Sequence, residues 1–213
     1  MTPSLISVLL VDDHAVVREG YRRLLERDAG IQVVGEAGNS VQAYERSLAL
    51  DPQVVVMDIA LPGVSGIEAM RRILARRPQQ CVLMFSMYDD AIFPSRALEA
   101  GARGYVSKAS APDVLIDAIL AVARGERYLS PDVQKLIAHN VTTQAQSVVS
   151  TLTAREFEVL RLLVRGETVK RIGEKLGLSE KTVANHQSAI REKLGARNGV
   201  QLARVASELG LSL

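Results

Sequence analysis

Asp12, Asp13 and Asp58 are carboxylates, Ser86 is a hydroxyl and Lys108 is an ammonium. Brought into one small pocket, three carboxylates repel one another, and a hard divalent cation resolves that repulsion. Mg²⁺ takes oxygen ligands, keeps some waters, and completes its shell with one or two carboxylates plus a phosphate oxygen. Beside such an ion, Asp58 is placed to be a nucleophile that accepts a phosphoryl group as an aspartyl phosphate. Lys108 would neutralise charge on the phosphoryl oxygens, and Ser86 would hydrogen-bond one of them. Taken singly, two of these residues have plainer uses. Asp13 would cap a helix beginning near Ala15, and Asp58 would begin a turn towards Pro62-Gly63. The chemical reading rests on the joint pattern, in which every member sits at the end of a predicted strand.

Those strands are short apolar runs: Leu5–Val11, Gln32–Ala37, Val54–Met57, Cys81–Phe85 and Gly104–Ser107. Three are apolar almost throughout, as strands buried on both faces of a parallel sheet must be. Helical stretches alternate with them over Val16–Arg27, Ser40–Leu50, Ile67–Arg76, a segment near Pro94–Ala100, and Asp113–Arg124. Five strands alternating with five helices predict a doubly wound α/β domain, flavodoxin-like, with right-handed crossovers. In such a sheet ligands gather at the carboxyl ends of the strands. With the order 2-1-3-4-5, strands one and three are neighbours, and Asp12-Asp13 meets Asp58. This domain is expected over 1–124. Residues 125–150 read as a break with a short helix at Pro131–His139, then a polar, uncharged linker, Val141–Ser150.

From Thr151 to 213 the pattern is all helical, as a small four-helix domain. Thr153-Ala154-Arg155-Glu156 is a capping box, with Leu152 and Phe157 as its hydrophobic staple. Helices follow to about Arg165, over Val169–Leu176, from the Ser179 cap to Leu194, and over Val200–Leu209. The second and third, with Gly177-Leu178 between them, have the length and turn of a helix-turn-helix. On the third, Val183, Ile190 and Leu194 form an apolar stripe, while Lys181, Ala184, Asn185 and Ser188 lie opposite. Small Ala184 and Ser188 would let the backbone approach a groove, and Asn185 can bond adenine in a bidentate way. Lys181 and Thr182 lie near the helix N-terminus, where phosphates are favoured. Lys170, Arg191 and Lys193 would add phosphate contacts. The plain alternative is a helical bundle whose polar face is simply wet.

Composition narrows the class. The 213 residues are 47% hydrophobic, enough for a real core, and the single cysteine, Cys81, excludes an internal disulfide and a multi-cysteine metal site. Residues 151–213 carry a net charge of +4, against −2 for the rest, which permits a polyanionic partner for the tail. No apolar stretch is long enough to cross a bilayer and no leader is read at Met1-Thr2-Pro3-Ser4, so a cytoplasmic protein without membrane contact is expected.

Residues 5–124 resemble the response-regulator receiver family. The resemblance is carried by Asp12-Asp13, Asp58-Ile-Ala-Leu-Pro62 with Gly66, Ser86, and Gly104-Tyr105-Val-Ser-Lys108. It implies that Asp58 is the phosphoacceptor, Ser86 and Tyr105 the switch residues, Lys108 the family's lysine, and the Ala60 carbonyl a further Mg²⁺ ligand. Leu152-Thr-Ala-Arg-Glu156, Leu178-Ser-Glu-Lys-Thr-Val183, Asn185-His186 and Lys193-Leu194-Gly195 resemble the LuxR-type DNA-binding domain. Together the two are similar to the NarL/FixJ class of response regulators. That resemblance implies a sensor histidine kinase, double-stranded DNA and RNA polymerase as partners. It also implies an active homodimer paired through Val200 and Ala203 of the last helix. Two departures stand out. Val169-Lys-Arg-Ile-Gly173 replaces the Asn-Lys-Glu-Ile-Ala common in the family, and Gly173 weakens a helix by about 1 kcal/mol against Ala. Ala184 and Gln187 stand where basic residues are common, which predicts sparse base readout.

Two other classes compete. A phosphotransferase or NTPase on the same sheet is disfavoured, because neither a Gly-x-x-x-x-Gly-Lys-Ser/Thr loop nor a Gly-x-Gly-x-x-Gly after the first strand is present. A module binding polymerase or another regulator instead of DNA stays open. Finally, Pro94 is expected at the first position of the fourth helix, with Phe93 near the cap and Asp90–Phe93 as loop.

Overall fold

The computed structural model describes residues 5–62, 64–87, 91–139 and 151–208. The chain divides into two compact units, Met1–Val141 and Thr142–Leu213. The linker expected at Val141–Ser150, the start Met1–Ser4 and the Tyr88–Asp90 part of the loop after Ser86 lie outside the described residues. No helix among the described residues is long and apolar enough to cross a membrane.

The first unit runs β1 (Ile6–Val11), α1 (Ala15–Leu25), β2 (Ile31–Ala37), α2 (Ser40–Leu50), β3 (Val54–Met57), α3 (Gly66–Arg76), β4 (Cys81–Ser86), α4 (Ile92–Glu99), β5 (Gly104–Ser107), α5 (Pro112–Ala123), β6 (Tyr128–Leu129) and α6 (Pro131–His139). All strands pair in parallel, in the order β2-β1-β3-β4-β5-β6. Val54–Met57 is buried along its whole length, which explains why it shows no alternation. On one face Val8, Leu10, Val54, Val56, Leu83, Phe85 and Val106 form a core with Leu25 of α1 and with Leu115, Ala118, Ile119 and Val122 of α5.

The five-strand expectation is corrected to six. Residues 125–131, read as a break, place Tyr128 and Leu129 beside Gly104 and Tyr105. A two-residue strand is too short to show a period of two, so sequence patterning cannot reveal it. Its anchor is polar: buried Ser130 receives the Ser107 N–H on its Oγ and donates its own N–H to the Tyr105 carbonyl at 3.1 Å. Strand β5 is therefore not a sheet edge. The Pro94 expectation is corrected as well. Helix α4 begins at Ile92 with Ala91 as N-cap, so Pro94 is its third residue. The first helical bond runs from the Ser95 N–H to the Ala91 carbonyl at 3.2 Å. The N–H that proline lacks is thus one of those with no intrahelical acceptor, and the ring meets no preceding turn.

The second unit contains α7 (Ala154–Val164), α8 (Val169–Leu176), α9 (Glu180–Lys193) and α10 (Gly199–Glu208). The capping box forms reciprocally: Glu156 N–H donates to Thr153 Oγ1 at 3.2 Å, and Thr153 N–H donates to Glu156 Oε2 at 2.6 Å. Leu152, Phe157, Leu160, Ile172, Val183, Ile190 and Leu202 make the core. Gly173 has a use that propensity does not reveal. A Cβ there would stand 2.7 Å from the Leu178 carbonyl oxygen, in a turn closed by the Leu178 N–H on the Gly173 carbonyl at 2.9 Å. Its cost in helix propensity is set against the close approach of the α8–α9 turn.

Two expectations follow from this packing. A Cβ on Gly66 would lie 1.8 Å from the Asp58 carbonyl oxygen. Gly66→Ala gains at most about 1 kcal/mol of helix propensity, against about 1–3 kcal/mol for overpacking. The denaturation midpoint should therefore fall. The second concerns Glu156. Burial raises its carboxyl pKa, but hydrogen bonds from Lys193 and the Thr153 backbone outweigh burial and hold it below the ordinary value. Folding thus favours its charged form. The associated stability is present above the unfolded pKa of about 4.3 and is lost as pH falls through the lower folded value. Thermal unfolding of the full chain between roughly pH 5 and 3 should show this loss, and Glu156→Gln should lack that increment.

Candidate functional site

The register of the sheet builds the site. Val11 of β1 pairs with Met57 of β3, so the next residues, Asp12 and Asp58, emerge side by side, and the Asp58 N–H bonds the Val11 carbonyl at 2.9 Å. Ser86 of β4 pairs with Ser107 of β5, and the Lys108 N–H donates to the Ser86 carbonyl at 2.9 Å. Asp12 and Asp58 are 2% and 4% exposed. Lys108 Nζ stands between them, 2.6 Å from Asp12 Oδ2 and 2.5 Å from Asp58 Oδ2. The other oxygen of Asp58 accepts from Ser86 Oγ at 3.0 Å and from the Ala60 N–H at 3.2 Å. Burial lowers the Lys108 pKa, but the Asp58 charge and the Asp12 hydrogen bond more than reverse this, leaving the ammonium above the ordinary lysine value.

Asp13 does not cap α1. His14 is the N-cap residue and no side chain caps that helix. Instead, Asp12 Oδ1 accepts the His14 N–H at 2.8 Å. Asp13 Oδ1 is buried and makes no hydrogen bond, although His14 Nδ1 is 2.7 Å away in poor geometry. A buried carboxylate oxygen without a donor is costly unless something positive meets it. Asp12, Asp13 and His14 offer ligand atoms within 4.8 Å of one another. The carboxylate-rich donor set and the orphaned Asp13 oxygen are compatible with Mg²⁺. Tyr105, in β5 beside Met84, is fully buried.

Three neighbours of the site were not evident from sequence. Arg18 of α1 donates from Nη1 to the Asp12 carbonyl at 2.6 Å, while its Nε bonds Glu36 at 2.7 Å. Tyr21 stacks edge-on against Phe85 at 4.6 Å. Its hydroxyl pKa is raised by burial, opposed by Lys108 and helped by Asp12 and Asp58. His14 directly follows the acidic pair, and its adjacency was the one available signal. Arg18 and Tyr21 read only as residues of an amphipathic helix.

In the second unit, Lys170, Lys181, Ala184, Asn185 and Ser188 are exposed, and Thr182 and Arg191 are half-buried. Ser188 Oγ donates to the Ala184 carbonyl at 3.1 Å, and Thr182 Oγ1 lies 2.7 Å from Ser179 Oγ. Arg191 Nε is buried without a hydrogen-bond partner. Lys193 is engaged within the domain: its Nζ reaches both carboxylate oxygens of Glu156, at 2.9 and 2.6 Å. Val200 is 81% exposed, and Ala203 lines a shallow depression with Leu163, Gln187 and Leu202.

Residues 8–120 match the response regulator receiver domain family, and residues 150–206 match the luxR family of bacterial regulatory proteins. Response regulator UvrY of Escherichia coli K12 is 36% identical over 211 residues, spanning 97% of this chain and 96% of the relative. A LuxR-family two-component response regulator from Aurantimonas sp. SI85-9A1 is 46% identical, with a TM-score of 0.63, over 64% of this chain and 97% of its own. Salmonella typhimurium RcsB, studied for its interaction with DNA, is 28% identical with a TM-score of 0.60, over 96% of this chain and 99% of its own. With receiver and luxR-type regions in one polypeptide, the chain belongs to the NarL/FixJ class of two-component response regulators and is a phosphorylation-controlled regulator of transcription.

Proposed function

We propose that Asp58 is the phosphoacceptor and that its phosphorylation governs DNA binding by α9. The observation that carries this reading is Lys108, whose ammonium joins Asp12 and Asp58 while Ser86 Oγ donates to Asp58 from the other side. A carboxylate oxygen of Asp58 forms the new O–P bond as the P–N bond to a phosphohistidine of the sensor histidine kinase breaks. A P–O bond breaks when a small-molecule phosphodonor is used. The histidine nitrogen takes up a proton as it leaves, whereas an acyl-phosphate donor leaves as its carboxylate. The phosphoryl group ends on this chain, and water later hydrolyses the aspartyl phosphate to restore Asp58 and release inorganic phosphate, so each cycle consumes one phosphodonor. Asp12, Asp13, Asp58 and the Ala60 carbonyl would hold Mg²⁺. When bound, the ion neutralises charge on the transferring group.

Lys108 remains protonated across the physiological range and passes from Asp58 to the phosphoryl oxygens. Ser86 and Tyr105 are the switch residues, on adjacent strands that pair at Met84 and Tyr105. Helix α4, which follows Ser86 and lacks a side-chain N-cap, is the element that shifts. On DNA, Lys170, Lys181, Thr182 and Arg191 face phosphates. Ala184 and Ser188 allow close approach, and Asn185 reads a base. Phosphorylation favours a homodimer paired through Val200 and Ala203. The protein acts in the cytoplasm, with RNA polymerase as the further partner of the promoter-bound form.

Asp58→Asn should fold yet take no label from a small phosphodonor. Asp13→Asn should weaken both Mg²⁺ binding and labelling, as read by calorimetric titration and phosphate incorporation. Labelling of Asp58→Asn at normal stoichiometry would place the acceptor elsewhere. For DNA, Lys181→Ala should flatten the dependence of log affinity on log salt by about 0.9. Asn185→Ala should leave that slope intact and cost about 1–3 kcal/mol of discrimination at one base pair. A duplex affinity insensitive to salt would exclude the DNA reading.

A further inference from the structure

Lys193 ends α9, the helix assigned above to the DNA groove, and a lysine there suits a phosphate contact by type alone. Its surroundings say otherwise. Both oxygens of Glu156 accept from its Nζ, at 2.9 and 2.6 Å, across 37 residues of chain. The same carboxylate accepts the Thr153 N–H at 2.6 Å and so also closes the capping box of α7. Glu156 is only 5% exposed, and Lys193 is its cationic partner. The Lys193 side chain keeps 34% of its surface exposed, but its partner Glu156 keeps only 7%, and a buried carboxylate stripped of its cation is destabilising. Competition between Glu156 and a DNA phosphate for this ammonium therefore favours Glu156.

We propose that Lys193 is a positioning residue of the recognition helix: through Glu156 it pins the C-terminal end of α9 to the N-terminal end of α7, and it does not serve a phosphate. This rests on the DNA-binding reading above. At its other end α9 is capped by Ser179, whose Oγ accepts the Thr182 N–H at 3.1 Å, and is joined to α8 by the tight turn over Gly173. The residues assigned to the groove, Lys181, Asn185 and Ser188, lie between these two anchors. A helix of 14 residues is about 20 Å long, so loosening the polar tie at its C-terminal end, where Ile190 and Leu194 are also buried, shifts the reading face. Sequence-specific contacts are then lost before phosphate contacts are, because bidentate base bonds tolerate less misplacement than point charges do.

The test uses the full chain, a duplex that the unmodified protein selects from a random pool, and a scrambled duplex of equal length. Glu156→Gln is the informative variant. Glutamine preserves the capping box, since its amide oxygen still accepts the Thr153 N–H, and removes only the charge that holds Lys193. Lys193→Met removes the other partner, and Lys193→Arg restores the bond. Glu156→Gln and Lys193→Met should each weaken binding to the selected duplex by about threefold or more. Affinity for the scrambled duplex and the salt slope should stay unchanged. The double variant should be no worse than either single one, and Lys193→Arg should recover most of the affinity. Circular dichroism confirms that each variant is folded at the assay temperature. Three results would overturn the proposal. If Glu156→Gln tightens binding and Lys193→Met flattens the salt slope by about 0.9, Lys193 is a phosphate contact. If only the melting temperature falls and both affinities hold, the pair serves stability alone. If the unmodified chain enriches no duplex, the DNA-binding reading itself fails.

Discussion

One ammonium organises the receiver. Asp12 and Asp58 are buried beside each other because β1 and β3 are parallel neighbours in register, and two neighbouring buried carboxylates repel each other unless a cation lies between them. Lys108 supplies that cation from the end of β5, reached by a backbone bond to Ser86 at the end of β4. Four strands thus converge on one charge balance. Any negative charge added beside Asp58 would fall at the point where that balance is set, and the surrounding strand ends would feel it directly. The same logic explains why the acid pocket lies at the carboxyl edge of the sheet, where side chains from successive strands can meet.

Backbone economy around Asp58 is equally constrained. Gly66 begins α3 against the Asp58 carbonyl, with no space for a Cβ, and the Gly66 N–H bonds the Ile59 carbonyl at 2.9 Å. The loop is thereby folded back onto the strand end that carries Asp58. On the opposite side, Arg18 ties the Asp12 carbonyl to α1 while Glu36 of β2 holds the guanidinium. The acidic pair is held from behind by a neutralised cation, which leaves Asp13 Oδ1 as the unsatisfied atom of the pocket.

The helical unit uses a related device on another scale. A single buried carboxylate, Glu156, caps one helix and grips the last residue of another. In both units a polar tie between chain-distant elements fixes the geometry of the functional face, while the apolar core supplies most of the burial. Core packing tolerates substitution of similar volume. Charge pairs at these junctions do not, because each contains a buried carboxylate that depends on its cation.

The elements were largely legible in the sequence. Continuous apolar runs marked β1, β3 and β4, the Thr153–Glu156 box marked the start of α7, and Gly177 with Ser179 marked the turn into α9, since each of these signals is local. Membership of the acid pocket was legible too, because every member sits at a strand end or within two residues past one. Strand β6 was not, since two residues carry no periodicity and Ser130 anchors it only through a neighbour in the fold. Nor was the start of α4 at Ile92, which depends on which backbone groups need no partner rather than on where proline is most at ease. Residue type alone determined that lysines, an asparagine and small residues line α9. Only tertiary structure decided that Lys193 faces inward to Glu156, because the preference of an ammonium between solvent phosphate and buried carboxylate depends on a partner 37 residues away.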